Sequence, residues 1–232
     1  MASAPLLLAA LTGFWRLRSP LAEDGPMLRG SRVCLRWPQA QDHAAWSRLR
    51  AESRDHLTPW EPAWPRDALS VEAFQRRLRA NRQDVRAGTG YMFLIFRTED
   101  GALLGGASLS QVRRGAGASA EIGYWLGQPH AGQGYMTEAV ELLLPHAFET
   151  LQLRRLEAAC LPDNARSKAL LARLGFLREG LARSYLCING RWRDHELHAL
   201  LAQDWLAAPA AVARIGQGAA AGESAAPHCS RQ

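Results

Sequence analysis

The sequence predicts one α/β domain (α+β in layout) on a mixed, mostly antiparallel sheet, and three stretches predict it. Apolar runs at 91–96 and 103–109, turned back by Glu99-Asp100-Gly101, and a third at 119–126 read as an antiparallel meander. From Glu121 to Cys160 the order is strand, glycine turn, helix, strand, which makes a βαβ unit. Asn189-Gly190 stands between strand-like runs at 181–188 and 192–200, the strongest short signal for a two-residue hairpin turn.

Composition bounds the possibilities. Of 232 residues 47% are apolar, ample for a packed core. The net charge of +6 favours anionic partners such as a polyphosphate or RNA. The bases are almost all arginine, however, with Lys168 the only lysine, so coding composition contributes as much as function. No window approaches the roughly 20 apolar residues of a membrane helix, so no membrane partner is expected. Cys34, Cys160, Cys187 and Cys229 show neither C-x-x-C pairing nor a histidine at ligand spacing. They read as structural thiols of a reducing cytoplasm, with no metal. Residues 1–26, punctuated by Pro and Gly, read as a disordered leader; their run from Leu6 to Leu11 lacks the basic start of a signal peptide. Residues 207–232 collapse to Ala, Gly, Pro and Ser, a disordered tail, which leaves 27–206 as the domain.

The elements follow in order. Residues 32–36 alternate as a first strand, and Asp42 is placed to cap a helix carrying Ala45, Trp46 and Leu49. Three prolines between His56 and Pro65 argue against regular structure there. They leave Trp60 and Trp64 on a loop, either capping the core or lining a ligand pocket. A helix is expected at 71–81, with Phe74 and Leu78 on one face. After the strand at 121–126, the turn Ala131-Gly132-Gln133-Gly134-Tyr135-Met136 opens a helix from Thr137 to Leu151. Its apolar stripe is Val140, Leu143, Leu144, Ala147, Phe148 and Leu151, with a kink expected at Pro145. A strand at 156–160, Asn164 as N-cap, and a short helix ended by Gly175-Phe176 complete the unit. A glycine turn between strand and helix presents unpaired N–H groups at the positive end of the helix dipole, which suits phosphate; a tight turn alone asks for the same glycines.

This succession resembles the GCN5-related N-acetyltransferases over nearly all of 27–206. The resemblance implies that family's fold and a splayed βαβ site for acetyl-CoA as co-substrate. Its contacts would be Trp125 and Leu126, the turn residues Ala131, Gly132, Gln133, Gly134, Tyr135 and Met136, and Asn164. A backbone N–H near Trp125 would polarise the thioester carbonyl. The run Leu171-Ala-Arg-Leu-Gly-Phe176, then Glu179-Gly180, Tyr185 through Asp194-His195 and Asp204-Trp205, together with Pro59-Trp60-Glu61-Pro62, resembles the RimJ/RimL-type branch. That branch modifies N-termini of ribosomal proteins, so the implied reaction is acetylation of an N-terminal alanine in the cytoplasm. The implied partners are a ribosomal-protein N-terminus and the ribosome or its assembly intermediates, without direct DNA binding. The chain departs from the family at Ala131, usually Arg or Gln, at Met136, usually Gly or Ala, and at Leu171, where many members carry a general-acid tyrosine.

Acyl transfer to an amine needs a neutral amine, a stabilised carbonyl oxygen and a protonated leaving thiolate. An α-amine titrates near pH 8, so a modest base suffices. Glu121 is one candidate and Asp194-His195 another; Glu121 is equally a strand-end carboxylate. Ser167 is a helix-start serine by position and, by the resemblance, the general acid. Trp60, Glu61, Trp64 and Tyr185 are expected to enclose the first side chain of the acceptor, with Glu61 attracting its cationic amine. Acetylation of a small amine, and a non-catalytic acetyl-CoA sensor or assembly factor, are the alternative functions.

Overall fold

The computed structural model describes residues 25–207. The expected tail and all but the end of the expected leader, with Cys229, lie outside the described residues. Eight described strands form one sheet: β1 (Leu28–Arg29), β2 (Val33–Arg36), β3 (Tyr91–Arg97), β4 (Leu103–Arg113), β5 (Ser119–Leu126), β6 (Arg155–Cys160), β7 (Leu177–Ile188) and β8 (Arg191–Leu201). Their order is β1-β2-β3-β4-β5-β6-β8-β7, antiparallel everywhere except between β5 and β6. The helices are α1 (His43–Glu52), α2 (Arg54–Leu57), α3 (Val71–Ala87), α4 (Tyr135–Pro145), α5 (Ala165–Arg173) and α6 (Ala202–Ala207).

Both faces of the sheet are covered, which explains why β3 reads as a continuous apolar run. Phe93 and Ile95 pack with α4 residues Val140, Leu143 and Leu144 on one face. Leu94 and Phe96 meet Trp46 and Leu49 of α1 and Phe74 and Leu78 of α3 on the other.

Several expectations change in detail. Asp42 does not cap α1: it is itself helical, and its carboxylate accepts from Gln39 N–H (2.7 Å) and pairs with Arg36. The prolines at 59–65 still permit a single 3₁₀ turn over Thr58–Trp60, since Pro59 occupies a position that needs no N–H bond. The helix at 71 runs on to Ala87, capped by Ser70 and ended by Gly88 at φ +70°. Its last turns are polar apart from Val85, so the apolar stripe fades before the helix does. α4 begins at Tyr135 directly after the turn. The expected kink takes the form of a change of winding: the α-helix stops at Pro145, and His146–Thr150 follow as a π-turn. Pro145 has no N–H to continue the ladder.

Two irregularities position the site. β5 and β6 pair only from Ser119↔Arg155 to Glu121↔Glu157, then part. At the other end, Asn189 (φ +44°) and Gly190 (φ +79°) make the expected hairpin turn between β7 and β8. That turn is fastened to the proline loop, because Asn189 N–H donates to the Glu61 carbonyl (3.0 Å).

Candidate active site

The parting of β5 and β6 exposes backbone. Gly127 N–H donates to Leu104 O (2.9 Å), so the alternation of the β4–β5 ladder turns the N–H groups of Tyr124 and Leu126 away from β4 and into the gap. Trp125, expected to serve there, pairs instead with Gly106 of β4, and its ring lies on the other face of the sheet. The gap is a cleft of about 220 Å³ lined by Trp60, Tyr124, Cys160, Asn164, Ser167 and His195 together with neighbouring backbone. Asn164 Oδ1 accepts from Ser167 N–H (3.0 Å), fixing the start of α5 and leaving the Asn164 NH₂ for a ligand. Ser167 Oγ lies 2.8 Å from Tyr124 Oη. Burial pushes the Tyr124 phenol up to about 12, with the bond to Ser167 acting in the opposite sense. Burial also raises the Cys160 thiol, which keeps it protonated and unreactive.

His195 is buried in the cleft, whereas its neighbour Asp194 turns to the backbone N–H of Ser184. His195 Nδ1 lies 3.0 Å from Arg193 O. A carbonyl only accepts, so Nδ1 is the donor, and in the neutral ring the lone pair lies on Nε2. Tyr185 does not line the cleft; it packs its ring against His195 at 5.8 Å. Glu121 lines neither this cleft nor the cavity described below, and stands at the last paired position before the strands part.

At the turn, Gly132 (φ +77°) and Gly134 (φ +81°) occupy left-handed conformations that side chains disfavour, and the space above Gly132 is open. Gln133 closes the turn, its Nε2 donating to Pro129 O (3.0 Å). Tyr135 and Met136 bury their side chains in the core, so this turn has main-chain groups to offer a ligand at those two positions. Ala131 likewise brings no charge. Two arginines from elsewhere flank the turn instead. Arg32 of the β1–β2 corner donates to Gln133 O (3.1 Å) and pairs with Glu138 (2.9 Å), and Arg173 of α5 donates to Thr137 Oγ1 (3.2 Å). Both line an open groove with Gly132 and Gly134. Amides plus two guanidinium groups fit a pyrophosphate. No sequence spacing brings Arg32 to a turn a hundred residues away.

On the opposite face lies a cavity of about 420 Å³, walled by Trp46, Trp64, Phe74 and Trp125 with Arg50, Arg77 and Glu61. Gly106 makes room for it: a Cβ there would stand 2.6 Å from Trp125 Nε1. The proline loop divides between the two spaces, with Trp60 on the cleft and Glu61 and Trp64 on the cavity. Glu61 is not free to draw in an amine, since its carboxylate is held by Arg50 and by Trp64 Nε1 (2.8 Å). Cleft and cavity meet at Gly123 and Tyr124, which line both. Among the described residues no cluster of His, Cys, Asp or Glu is arranged to hold a metal, and no helix is long and apolar enough to cross a membrane.

Known proteins share this arrangement. Residues 32–177 match the family described as Acetyltransferase (GNAT) domain. The chain is 37% identical over 178 residues to the probable N-acetyltransferase YjcK of Bacillus subtilis, covering 77% of this chain and 98% of that protein. It is 37% identical over 166 residues to the [ribosomal protein uS5]-alanine N-acetyltransferase of Escherichia coli, covering 71% and 86%. Mycobacterium smegmatis RimJ, solved in complex with CoA-disulfide, superposes with a TM-score of 0.74 at 37% identity, over 84% of this chain and 94% of that one. The splayed strands, the glycine turn and these matches agree, and the chain belongs to the GNAT family of acetyltransferases.

Proposed function

We propose that this protein transfers the acetyl group of acetyl-CoA to the α-amino group of an N-terminal alanine on a ribosomal protein. The observation that carries the reading is the junction at Gly123–Tyr124, where the cleft between the parted strands meets an aromatic cavity across the sheet. The pyrophosphate lies on the amides of Gly132, Gln133 and Gly134 between Arg32 and Arg173, and the pantetheine arm follows the Tyr124 and Leu126 N–H groups. Asn164 contacts the donor, and Ser167 protonates the departing sulfur. His195, through Nε2 of its neutral ring, or Glu121 acting through water, takes the amine proton. The name of the E. coli relative supports the ribosomal substrate and, with it, a cytoplasmic site of action on ribosomal proteins, free or in assembly intermediates.

The cavity volume lies at the small end of the roughly 300–1,000 Å³ usual for ligand sites, room for a first residue and a little more. Its charged lining is two arginines against one glutamate, which opposes a polyamine. With labelled acetyl-CoA and peptides beginning Ala, Ser, Met or Leu, the Ala peptide is expected to react fastest, Ser more slowly, and Leu hardly at all, by steric exclusion. Preference for spermidine or an aminoglycoside over every peptide would replace this reading with small-amine acetylation. Absence of any turnover would leave a binding protein.

A further inference from the structure

We propose that Tyr124 is the proton source behind Ser167, the two hydroxyls forming a relay that delivers a proton to the leaving thiolate. The inference rests on the acetyl-transfer reading above and adds a residue to it. A serine hydroxyl that gives up its proton alone becomes an alkoxide, a far stronger base than the thiolate it serves and so an unfavourable product. The structure supplies a remedy at 2.8 Å: the Tyr124 hydroxyl, on the strand whose backbone lines the gap. A phenol is the stronger acid of the pair, so Tyr124 donates to Ser167 Oγ, which leaves the Ser167 hydrogen for an acceptor on the cleft side, where the Cys160 thiol also lies within its reach. Ser167 cannot slide away from it, because Asn164 pins its backbone. Leu171, where many relatives carry the tyrosine, is buried in the core and offers no hydroxyl.

The step balances as follows. The amine nitrogen bonds to the acetyl carbon, and the carbonyl π pair moves to oxygen. When that pair returns, the C–S bond breaks and sulfur keeps its electrons. Sulfur takes the Ser167 proton while Ser167 takes that of Tyr124. The proton lost by the amine passes to the base and water, and water restores Tyr124. Tyr124 acts through Ser167 and is a positioning and proton-supplying residue.

The test compares Tyr124→Phe, Ser167→Ala and the double variant, following thiol release with an Ala-starting peptide and, separately, with water as acceptor. Two donors are used, acetyl-CoA and an acetyl thioester of an electron-poor aryl thiol whose thiolate leaves unprotonated. Tyr124→Phe is expected to lower kcat with acetyl-CoA by about 10²-fold, the low end of the general-acid range. CoA affinity by calorimetry should stay unchanged, and the aryl donor should show almost no loss. The double variant should be no slower than Ser167→Ala alone, because the two hydroxyls work as one device. Equal losses with both donors, or additive losses in the double variant, overturn the relay. The water reaction reports on it even if the wild type rejects every peptide, an outcome that would count against the substrate reading alone.

Discussion

Arg50 sets the character of the aromatic cavity. Its guanidinium stands 5.8, 4.4 and 4.9 Å from the ring centroids of Trp46, Trp64 and Trp125 while it holds the Glu61 carboxylate. Each ring contact contributes about 0.5–2 kcal/mol. Removing one member of a largely buried pair costs about 3–5 kcal/mol when the other charge stays buried, so neither residue is expected to tolerate loss of its partner. His146 makes the contrasting case. It is buried with its ring edge-on to Tyr91 and Phe93, its Nε2 has no hydrogen-bond partner among the described residues, and burial lowers its pKa below 6.5. The folded protein thus binds this proton less readily than the unfolded chain does. The neutral ring's contribution is complete above pH 6.5 and declines as pH falls below it. Urea midpoints measured from about pH 8 down to about pH 5 should therefore fall more steeply in the wild type than in His146→Phe. Parallel curves would show that the His146 site does not govern the acid limb.

At the scale of elements, the strand–turn–helix was legible because glycine, Asn164 and the apolar stripe of α4 each act locally. The same holds for the Asn189-Gly190 hairpin, whose turn type depends on two residues. What escaped depends on distance or on facing. Arg32 and Arg173 reach the turn from other elements, and Arg50 engages Glu61 through a fold the loop sequence does not encode. Tyr124 read simply as a strand aromatic; period-two alternation sets its side chain opposite Trp125, but only the departure of β6 makes that face a cleft. The bond from Gln133 O to Arg32 and the open space at Gly132 make the turn a preformed cradle. Gly134→Asp would place a carboxylate in a left-handed position, with its Cβ near the Arg32 guanidinium at 3.3 Å. It is expected to abolish CoA binding in calorimetry while circular dichroism stays unchanged. Retained affinity would remove the phosphate role of this turn.

For the whole molecule, the sheet is a wall with one doorway. The cleft and the aromatic cavity lie on opposite faces and meet where Gly123 carries no side chain and β6 has turned aside. The antiparallel half fixes the wall and the parallel pair opens it, so in the proposed reaction the mixed sheet itself would keep the two substrates apart. The bond between the Asn189 amide and the Glu61 carbonyl then has a topological consequence. That bond closes the chain between the proline loop and the hairpin tip into a ring, and an acceptor that entered through such a ring would have to present a chain end, since a closed ring does not pass a thread's middle. A linear peptide can insert its first residue; a peptide without ends cannot. Head-to-tail cyclised peptide carrying an internal lysine should go unacetylated at concentrations that saturate its linear Ala-starting counterpart, as read by mass spectrometry. Acetylation of the cyclic form would mean that the site accepts a side-chain amine and does not select for a chain end.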